Sequence, residues 1–255
     1  MKRILNKLAE KWPEYIIEAM VIIASILGAF ALDSWNENRK EKVLEAKFLS
    51  NLKLDLQTDT TNLNLMIVDR KQKAESALTL LEMETAPANR AEMDQYVSLI
   101  WNLFSWTTFT PRTNTVDELI GSGNLSILSD DSVKMHILNI KQMNEELIPL
   151  REHMRREYEH YLYDRANITQ PITIGYDLRS VINGDYDKLE MSSGEIKRIS
   201  KQVENFLNDL SARNGLTLAA LNNIGIAERY AEMILQREKL LARIDLNLTM
   251  QNPEQ

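Results

Sequence analysis

The sequence has 255 residues, enough for one large domain or two small ones, and its 8 glycines and 6 prolines among abundant Leu, Glu, Lys and Ala favour helix over sheet. It contains no cysteine, which excludes disulfides, thiolate metal sites and a cysteine nucleophile. The net charge is −7, and with 6 basic and 5 acidic residues in positions 1–40 the remainder carries 24 basic and 32 acidic residues, which argues against a nucleic-acid partner.

The first predicted element is a membrane-spanning helix at residues 15–35, preceded by a basic N-terminal tail at residues 1–14. A helix of this length rises roughly 31 Å, about the thickness of the bilayer core. No charged residue occurs from Ala19 to Leu32, and aromatic residues stand at both ends, as they do at membrane interfaces. We therefore expect the lipid bilayer to be the first partner of this chain.

Two other interpretations of the apolar segment remain open. A cleaved signal peptide also has a basic start and an apolar run, and Ala29-Phe30-Ala31 resembles its small-x-small cleavage site. A buried helix of a soluble protein is the second alternative. The uncleaved anchor is favoured because the apolar run starts only at residue 15 and the helical pattern continues past residue 35.

The predicted span contains one carboxylate and a set of small residues. Glu18 lies one turn inside the apolar segment, where a charged group is costly and marks a candidate functional position. Ala24 with Gly28, and Ser25 with Ala29, form small-xxx-small pairs that permit close approach of two helices. These residues, together with Trp35 at the end of the span, predict a homo-oligomer whose contacts lie in the anchor.

The orientation of the span follows only weakly from its flanking charges, which are nearly balanced. Basic residues precede it at Lys2, Arg3, Lys7 and Lys11, and follow it at Arg39, Lys40, Lys42 and Lys47. Because a short basic N-terminus usually stays in the cytoplasm, we expect the N-terminus there and the large soluble domain outside the cytoplasmic membrane.

A long amphipathic helix is predicted at residues 36–84, a stretch without proline or glycine. Its apolar residues recur at steps of three or four: Leu44, Phe48, Leu52, Leu56, Leu63, Ile67, Ala74, Leu78 and Leu81. Asp59 and Arg70 interrupt this apolar stripe, so packing against its own domain and a coiled-coil stalk both remain open. The helix is expected to continue directly from the span.

Residues 85–250 are predicted to form a helical soluble domain, which makes the fold class all-α with a helical bundle. The first of its helices covers residues 91–105. Trp101 and Trp106 are expected in the core, with a ligand platform as the alternative. Thr115 and Glu118 have the spacing of a capping box that opens a short helix.

Three further helices are predicted to complete this domain. The first covers residues 130–165, with a kink at Pro149. A loop at residues 166–195 separates it from a helix that Gly215 ends and from a last helix at residues 217–247.

Two segments resemble an uncharacterised family of bacterial single-pass membrane proteins of unknown function. The first is the span with the Asn/Asp-x-Trp-Asn-Glu element that follows it: Glu18, Asp33, Trp35, Asn36, Glu37 and Arg39. The second is Thr115–Asp130. Asp33 stands where the family more often has Asn. The resemblance supports the anchor and implies no reaction. With the expected orientation, the chain would be a bacterial inner-membrane protein whose soluble domain lies in the periplasm.

No catalytic motif stands out, and we expect no enzyme, no cofactor and no metal. His153, Glu157 and His160 lie on one helical face, and Glu157-x-x-His160 has the spacing of a carboxylate-bridged metal site. Such a site needs a second Glu-x-x-His and two more glutamates, and the second copy is missing from the sequence. A solvated polar face is the favoured interpretation of these residues.

The sequence thus supports two hypotheses of function. The first is a membrane-anchored, self-associating helical module that acts as a scaffold or sensor for a protein partner of its soluble domain. The alternative is an oligomeric channel or transport component, in which copies of Glu18 line a narrow pore.

Overall fold

The computed structural model describes residues 2–169, 177–184 and 190–251. These residues are mostly helical and form no strand. The helices are α1 (Lys2–Glu82), α2 (Arg90–Phe104), α3 (Asn114–Gly121), α4 (Asp131–Glu157), α5 (Asp164–Thr169), α6 (Leu178–Asn183), α7 (Ser193–Asn208) and α8 (Leu210–Gln251). A 3₁₀ turn covers Asn124–Ile127, and a π-helical turn, Tyr158–Tyr163, joins α4 to α5. The predicted all-α class and helical bundle are confirmed.

Helices α1 and α8 are the two longest elements and pack against each other as an antiparallel pair. Lys53 contacts Asp245 at 2.7 Å, whereas Arg70, further along α1, donates to Asn223, an earlier residue of α8. Helix α4 packs beside α8, and α2 and α3 pack against α1. The bundle is therefore built on the part of α1 that follows the predicted span.

The core consists of two apolar clusters along this axis. The cluster nearer the N-terminal part of α1 includes Phe48, Leu52, Leu119, Ile137 and Ile244. The second and larger cluster includes Leu63, Tyr96, Leu103, Phe206 and Leu216. Because α1 contributes to both, it runs through the whole length of the bundle.

The N-terminal part of α1 extends away from this bundle. It holds one stretch that is long and apolar enough to cross a membrane, judged by length and composition, and none of that stretch is buried. From Tyr15 onward, the first buried residue of α1 is Glu45, whose carboxylate accepts from the backbone N–H and hydroxyl of Ser129. The helix has no break between Trp35 and Glu45, so the predicted continuity of span and amphipathic helix is confirmed.

The capping box predicted at Thr115 and Glu118 is wrong. Helix α3 begins at Asn114, and the residue at its N-cap, Thr113, makes no side-chain capping bond. The Thr115 hydroxyl instead donates to the Asp55 carboxylate at 2.5 Å. The Thr115 hydroxyl therefore donates to a carboxylate on α1, whereas in a capping box it would accept from a backbone N–H of its own helix.

The predicted loop at residues 166–195 is wrong in extent. Helix α5 continues to Thr169, α6 lies within the segment, and α7 begins at Ser193 after a capping box formed by Ser192 and Glu195. Residues 170–176 and 185–189 of this segment lie outside the described residues.

The predicted helix end at Gly215 is also wrong, because α7 ends at Asn208 and α8 passes through Gly215. A Cβ atom at this position would lie 2.7 Å from Cβ of Tyr161 and 3.0 Å from its carbonyl oxygen. Glycine is required here because the π-helical turn approaches α8 closely, and not because a helix stops.

Candidate functional site

The residues predicted as anchor and oligomer contacts all lie on the exposed N-terminal part of α1. Ala24, Ser25, Gly28 and Ala29 are exposed, and a Cβ atom added at Gly28 would meet no atom within 4 Å. The Ser25 hydroxyl donates to the backbone carbonyl of Val21 at 2.7 Å, which satisfies it within the helix. This small-residue surface is open for contact with another helix or with lipid.

Glu18 and Trp35 mark the two ends of this exposed segment. Glu18 is exposed, and at about 100° per residue it points to the same side of α1 as Ser25, within about 20°. Trp35 is 62% exposed, and the guanidinium of Arg39 lies 5.9 Å from its ring centroid. The Glu18 carboxylate therefore shares one side of the helix with Ser25 and Ala29, and an aromatic–cation pair follows the apolar stretch.

A buried polar seam links α1 to α8 and α4 inside the bundle. Asp59 and Arg237, both buried, are joined by an ion pair of 3.3 Å. Arg237 also donates to the Asn144 amide oxygen at 2.9 Å, and the backbone N–H of Arg112 donates to Asp59 at 3.1 Å. Asp59 is one of the two residues that interrupt the apolar stripe of α1, and Arg237 is its buried partner.

Burial dominates the electrostatics of this pair. It raises the pKa of the Asp59 carboxyl above its usual range, whereas the charge of Arg237 and the N–H of Arg112 oppose that shift. Burial also lowers the pKa of the Arg237 guanidinium, against the attraction of Asp59. Each charge is therefore costly alone and depends on the other.

Arg70, the second interruption, belongs to a further part of the seam. It donates to the Asn223 amide oxygen at 3.1 Å and to the backbone carbonyl of Thr107. Lys73, one turn on, donates to the backbone carbonyl of Ser105 at 2.5 Å and lies 3.3 Å from Asp69. These two cations fasten the segment after α2 onto α1, which gives them a structural role.

Aromatic residues close this end of the seam. The Tyr158 hydroxyl accepts from the Asn223 amide at 2.8 Å, and burial raises the pKa of Tyr158 to about 12. Trp106 packs edge-on against Tyr158 and lies under the Arg70 guanidinium, yet it is 43% exposed. Trp101 is 56% exposed. The prediction that both tryptophans lie in the core is wrong. Trp106 covers the seam from outside, and Trp101 lines a surface groove beside Phe104 and Tyr163.

A cavity of about 170 Å³ lies beside Asp59, between α1, α3 and α4. Its polar lining includes Asp55, Asn144 and Arg151. Arg151 donates to the Thr108 hydroxyl at 3.3 Å and to the backbone carbonyl of Phe109 at 3.2 Å. The polar groups around this cavity are thus engaged with one another and with the backbone.

The histidines do not converge. His153 Nε2 lies 3.1 Å from the Glu157 carboxylate, which also accepts from Asn222. His160 lies in the π-helical turn with its ring against that of Tyr161. Over the described ranges, no group of three His, Cys, Asp or Glu residues is arranged to hold a metal ion.

Sequence reasoning missed Lys73, Asn223 and Arg237 as members of the seam. The available signal was the register of the long helices: Arg237 stands in the series Ile226, Tyr230, Met233, Leu240 and Ile244, which is otherwise apolar and buried. A charged residue in such a series indicates a buried partner on a neighbouring helix.

A protein-family model matches residues 18–170, and its description is a family of unknown function, DUF6090. The match begins at Glu18, inside the predicted span, and ends just after α5. It includes the rest of α1, with the α1 residues of the seam, and helices α2 to α5. Comparison with curated proteins gave no match. Comparison with solved structures also gave none.

Proposed function

Since this chain belongs to the DUF6090 family, whose function is unknown, we propose from its geometry that it is a membrane-anchored, self-associating helical module that serves as a scaffold or sensor for a protein partner. The observation that carries the proposal is the apolar stretch of α1, which is unburied and continuous with the helix on which the bundle is built. Exposed apolar surface of that extent needs lipid or another helix to cover it.

The anchor is tested by replacing Ile22 and Ile26 together with lysine in the full chain. Each lysine costs about 2.5–3.5 kcal/mol at the centre of a membrane helix. We expect the wild type to stay in the membrane pellet after alkaline extraction and the double variant to leave it. Leu235→Lys, on the exposed side of α8, is the control and should stay in the pellet. A wild-type chain released by alkali contradicts the anchor.

Self-association is tested with single cysteines, because the natural chain has none. Ser25→Cys and Ala29→Cys lie on the small-residue side, whereas Ile23→Cys and Phe30→Cys lie roughly opposite. Oxidation in native membranes should join the first two into disulfide dimers and leave the second two monomeric. Equal crosslinking at all four positions contradicts a defined interface.

We further propose that the membrane is the bacterial inner membrane, with the N-terminus in the cytoplasm and the bundle in the periplasm. Glu228 is exposed on α8 and carries no role in the seam. A membrane-impermeant maleimide should therefore label Glu228→Cys in cells with a permeabilised outer membrane. Labelling only after lysis would reverse the orientation.

A pore is the second candidate function, and the position of Glu18 favours it. Glu18 shares one side of α1 with Ser25, so an assembly formed through that side brings its carboxylates together. Reconstituted protein should then conduct ions, and Glu18→Gln should change the conductance or its selectivity. Conductance that is absent, or unaffected by this substitution, contradicts the pore.

A further inference from the structure

The side of α1 that faces away from the bundle exposes large apolar residues outside the predicted span. We define the α1 back stripe as Val43, Leu54, Leu65 and Val68, which are 67%, 62%, 61% and 55% exposed. The first three are spaced by eleven residues. Eleven residues make slightly more than three helical turns, so these side chains stay on one side of α1.

Around Leu54 and Leu65, the central part of the α1 back stripe, the exposed surface of α1 carries no charge. From Ser50 to Val68, α1 has nine exposed residues, and all nine are uncharged. On α8, which also exposes leucines, six of the thirteen exposed residues between Leu221 and Leu246 are charged. A solvated helix face normally resembles that of α8, whereas the centre of a protein interface is depleted of charge.

The α1 back stripe is also in register with the candidate contact side of the anchor. Counting 100° per residue, Leu54 points within about 20° of Ser25 and of Ala29. The uninterrupted helix between them preserves this relation. One side of α1 therefore carries Ser25 and Ala29 in the predicted span and, further on, the uncharged apolar surface around Leu54 and Leu65.

We infer that a second copy of this chain packs in parallel along the α1 back stripe. The inference rests on the proposed anchoring, because two copies held in one membrane present the same residue at the same height. Leu54 then meets Leu54, and Leu65 meets Leu65, and the exposed residues between Ser50 and Val68 bring no like charges together. The eleven-residue spacing matches two helices that wind around each other with a slight right-handed supercoil.

Single cysteines at Leu54 and Leu65, oxidised in native membranes, test this contact. Leu235→Cys is the matched control, because Leu235 is an exposed leucine of α8 two residues before Arg237, the partner of Asp59 on α1. We expect disulfide dimers at the two α1 positions and none at the control. Monomeric Leu54→Cys and Leu65→Cys overturn the inference, as does equal crosslinking at Leu235→Cys.

The Ser25→Cys variant separates this inference from the proposed function. If it crosslinks while Leu54→Cys and Leu65→Cys stay monomeric, the copies meet only in the span, and the α1 back stripe is not their contact. If none of the three crosslinks in chains that alkali does not extract, self-association fails and the inference fails with it, while the anchor stands.

A charged substitution gives a second measurement. Leu54 and Leu65 are exposed, so changing both to lysine leaves the bundle folded, which circular dichroism verifies. Like charges at the contact should weaken dimerisation in nanodiscs by about tenfold or more. Leu221→Lys with Leu235→Lys on α8 should leave it unchanged. An unaltered dimer in the α1 variant overturns the inference.

Discussion

At the scale of single residues, two glycines of α8 form a matched pair for a stability test. A Cβ atom at Gly215 would lie 2.7 Å from Cβ of Tyr161, whereas one at Gly225 would meet no atom within 4 Å. Gly215→Ala should therefore destabilise the bundle by about 1–3 kcal/mol. Gly225→Ala should stabilise it by up to about 1 kcal/mol through helix propensity. Urea unfolding in detergent measures the unfolding free energy of both variants. If both variants are stabilised, or both destabilised to the same extent, the close approach at Gly215 is contradicted.

The buried pair Asp59 and Arg237 gives a second prediction. Asp59→Leu leaves the guanidinium without its charged partner, at a cost of about 3–5 kcal/mol in unfolding free energy. Adding Arg237→Met removes the stranded charge, and the double variant should regain much of that loss. Unfolding curves of the two variants decide it, since a double variant as unstable as the single one would show that the pair does not act through its charges.

These residues also mark how far a sequence can be interpreted at this scale. Asp59 and Arg70 were visible as interruptions of an apolar stripe, but their partners were not. A charge on a helix looks solvated until the neighbouring helix is known. Arg237 lies 178 residues from Asp59, and Asn223 lies 153 residues from Arg70. Such pairs are set by packing, which helical periodicity alone does not specify.

At the scale of elements, Asp209 decides where α7 ends and α8 begins. Its carboxylate accepts from the backbone N–H of Ala212 at 2.8 Å and pairs with Arg165 at the start of α5. Donation from Arg165, helped by the backbone N–H, lowers the pKa of Asp209 below its usual value of 3.8. The stabilisation is therefore present above pH 3.8 and is lost as the pH falls through the lower folded-state pKa.

Asp209→Ala should consequently cost about 1–2 kcal/mol near neutral pH, the usual value of a helix cap. The difference from wild type should vanish in strongly acidic solution, where the carboxylate is protonated in both states. Asp164→Ala, an exposed neighbour of Arg165, is the control and should have little effect at any pH. Unfolding free energies measured across this range test it; a loss that persists in acid would contradict the role of the charge.

The helices themselves were largely predictable, and their errors have physical causes. The lack of proline and glycine over residues 36–84 predicted the long α1, and periodicity located α2. The errors came at Gly215, where close packing needs a small residue, and at Thr115, where Asp55 offers a charged acceptor. Both depend on contacts between elements that are distant in sequence.

At the scale of the whole molecule, the continuity of α1 predicts a dependence on helical phase. Two alanines inserted after Lys40 turn the bundle by about 200° relative to the span, whereas seven turn it by only about 20° from its original direction. In the Leu54→Cys background, crosslinking should be lost with two alanines and retained with seven. The membrane-bound fraction should not change. Equal crosslinking in both insertions would show that span and bundle do not share one interface.

This continuity was the whole-molecule feature that the sequence predicted best. No glycine or proline occurs between Gly28 and Pro87, and no other signal was needed. Ala24, Ser25, Gly28 and Ala29 are exposed, whereas their role in the anchor and their contact with a second copy stay predictions. A single chain cannot display that contact, because its surface is complete only in the assembly.

The unbroken helix has a mechanical consequence. Its 81 residues extend roughly 120 Å as one shaft, with consecutive backbone hydrogen bonds and no hinge after Gly28. A continuous helix of this kind couples rotation at one end to rotation at the other, as well as translation along its axis. Any rotation of the bundle about the long axis of α1 would therefore turn Glu18 through nearly the same angle, without lengthening or bending of the helix between them.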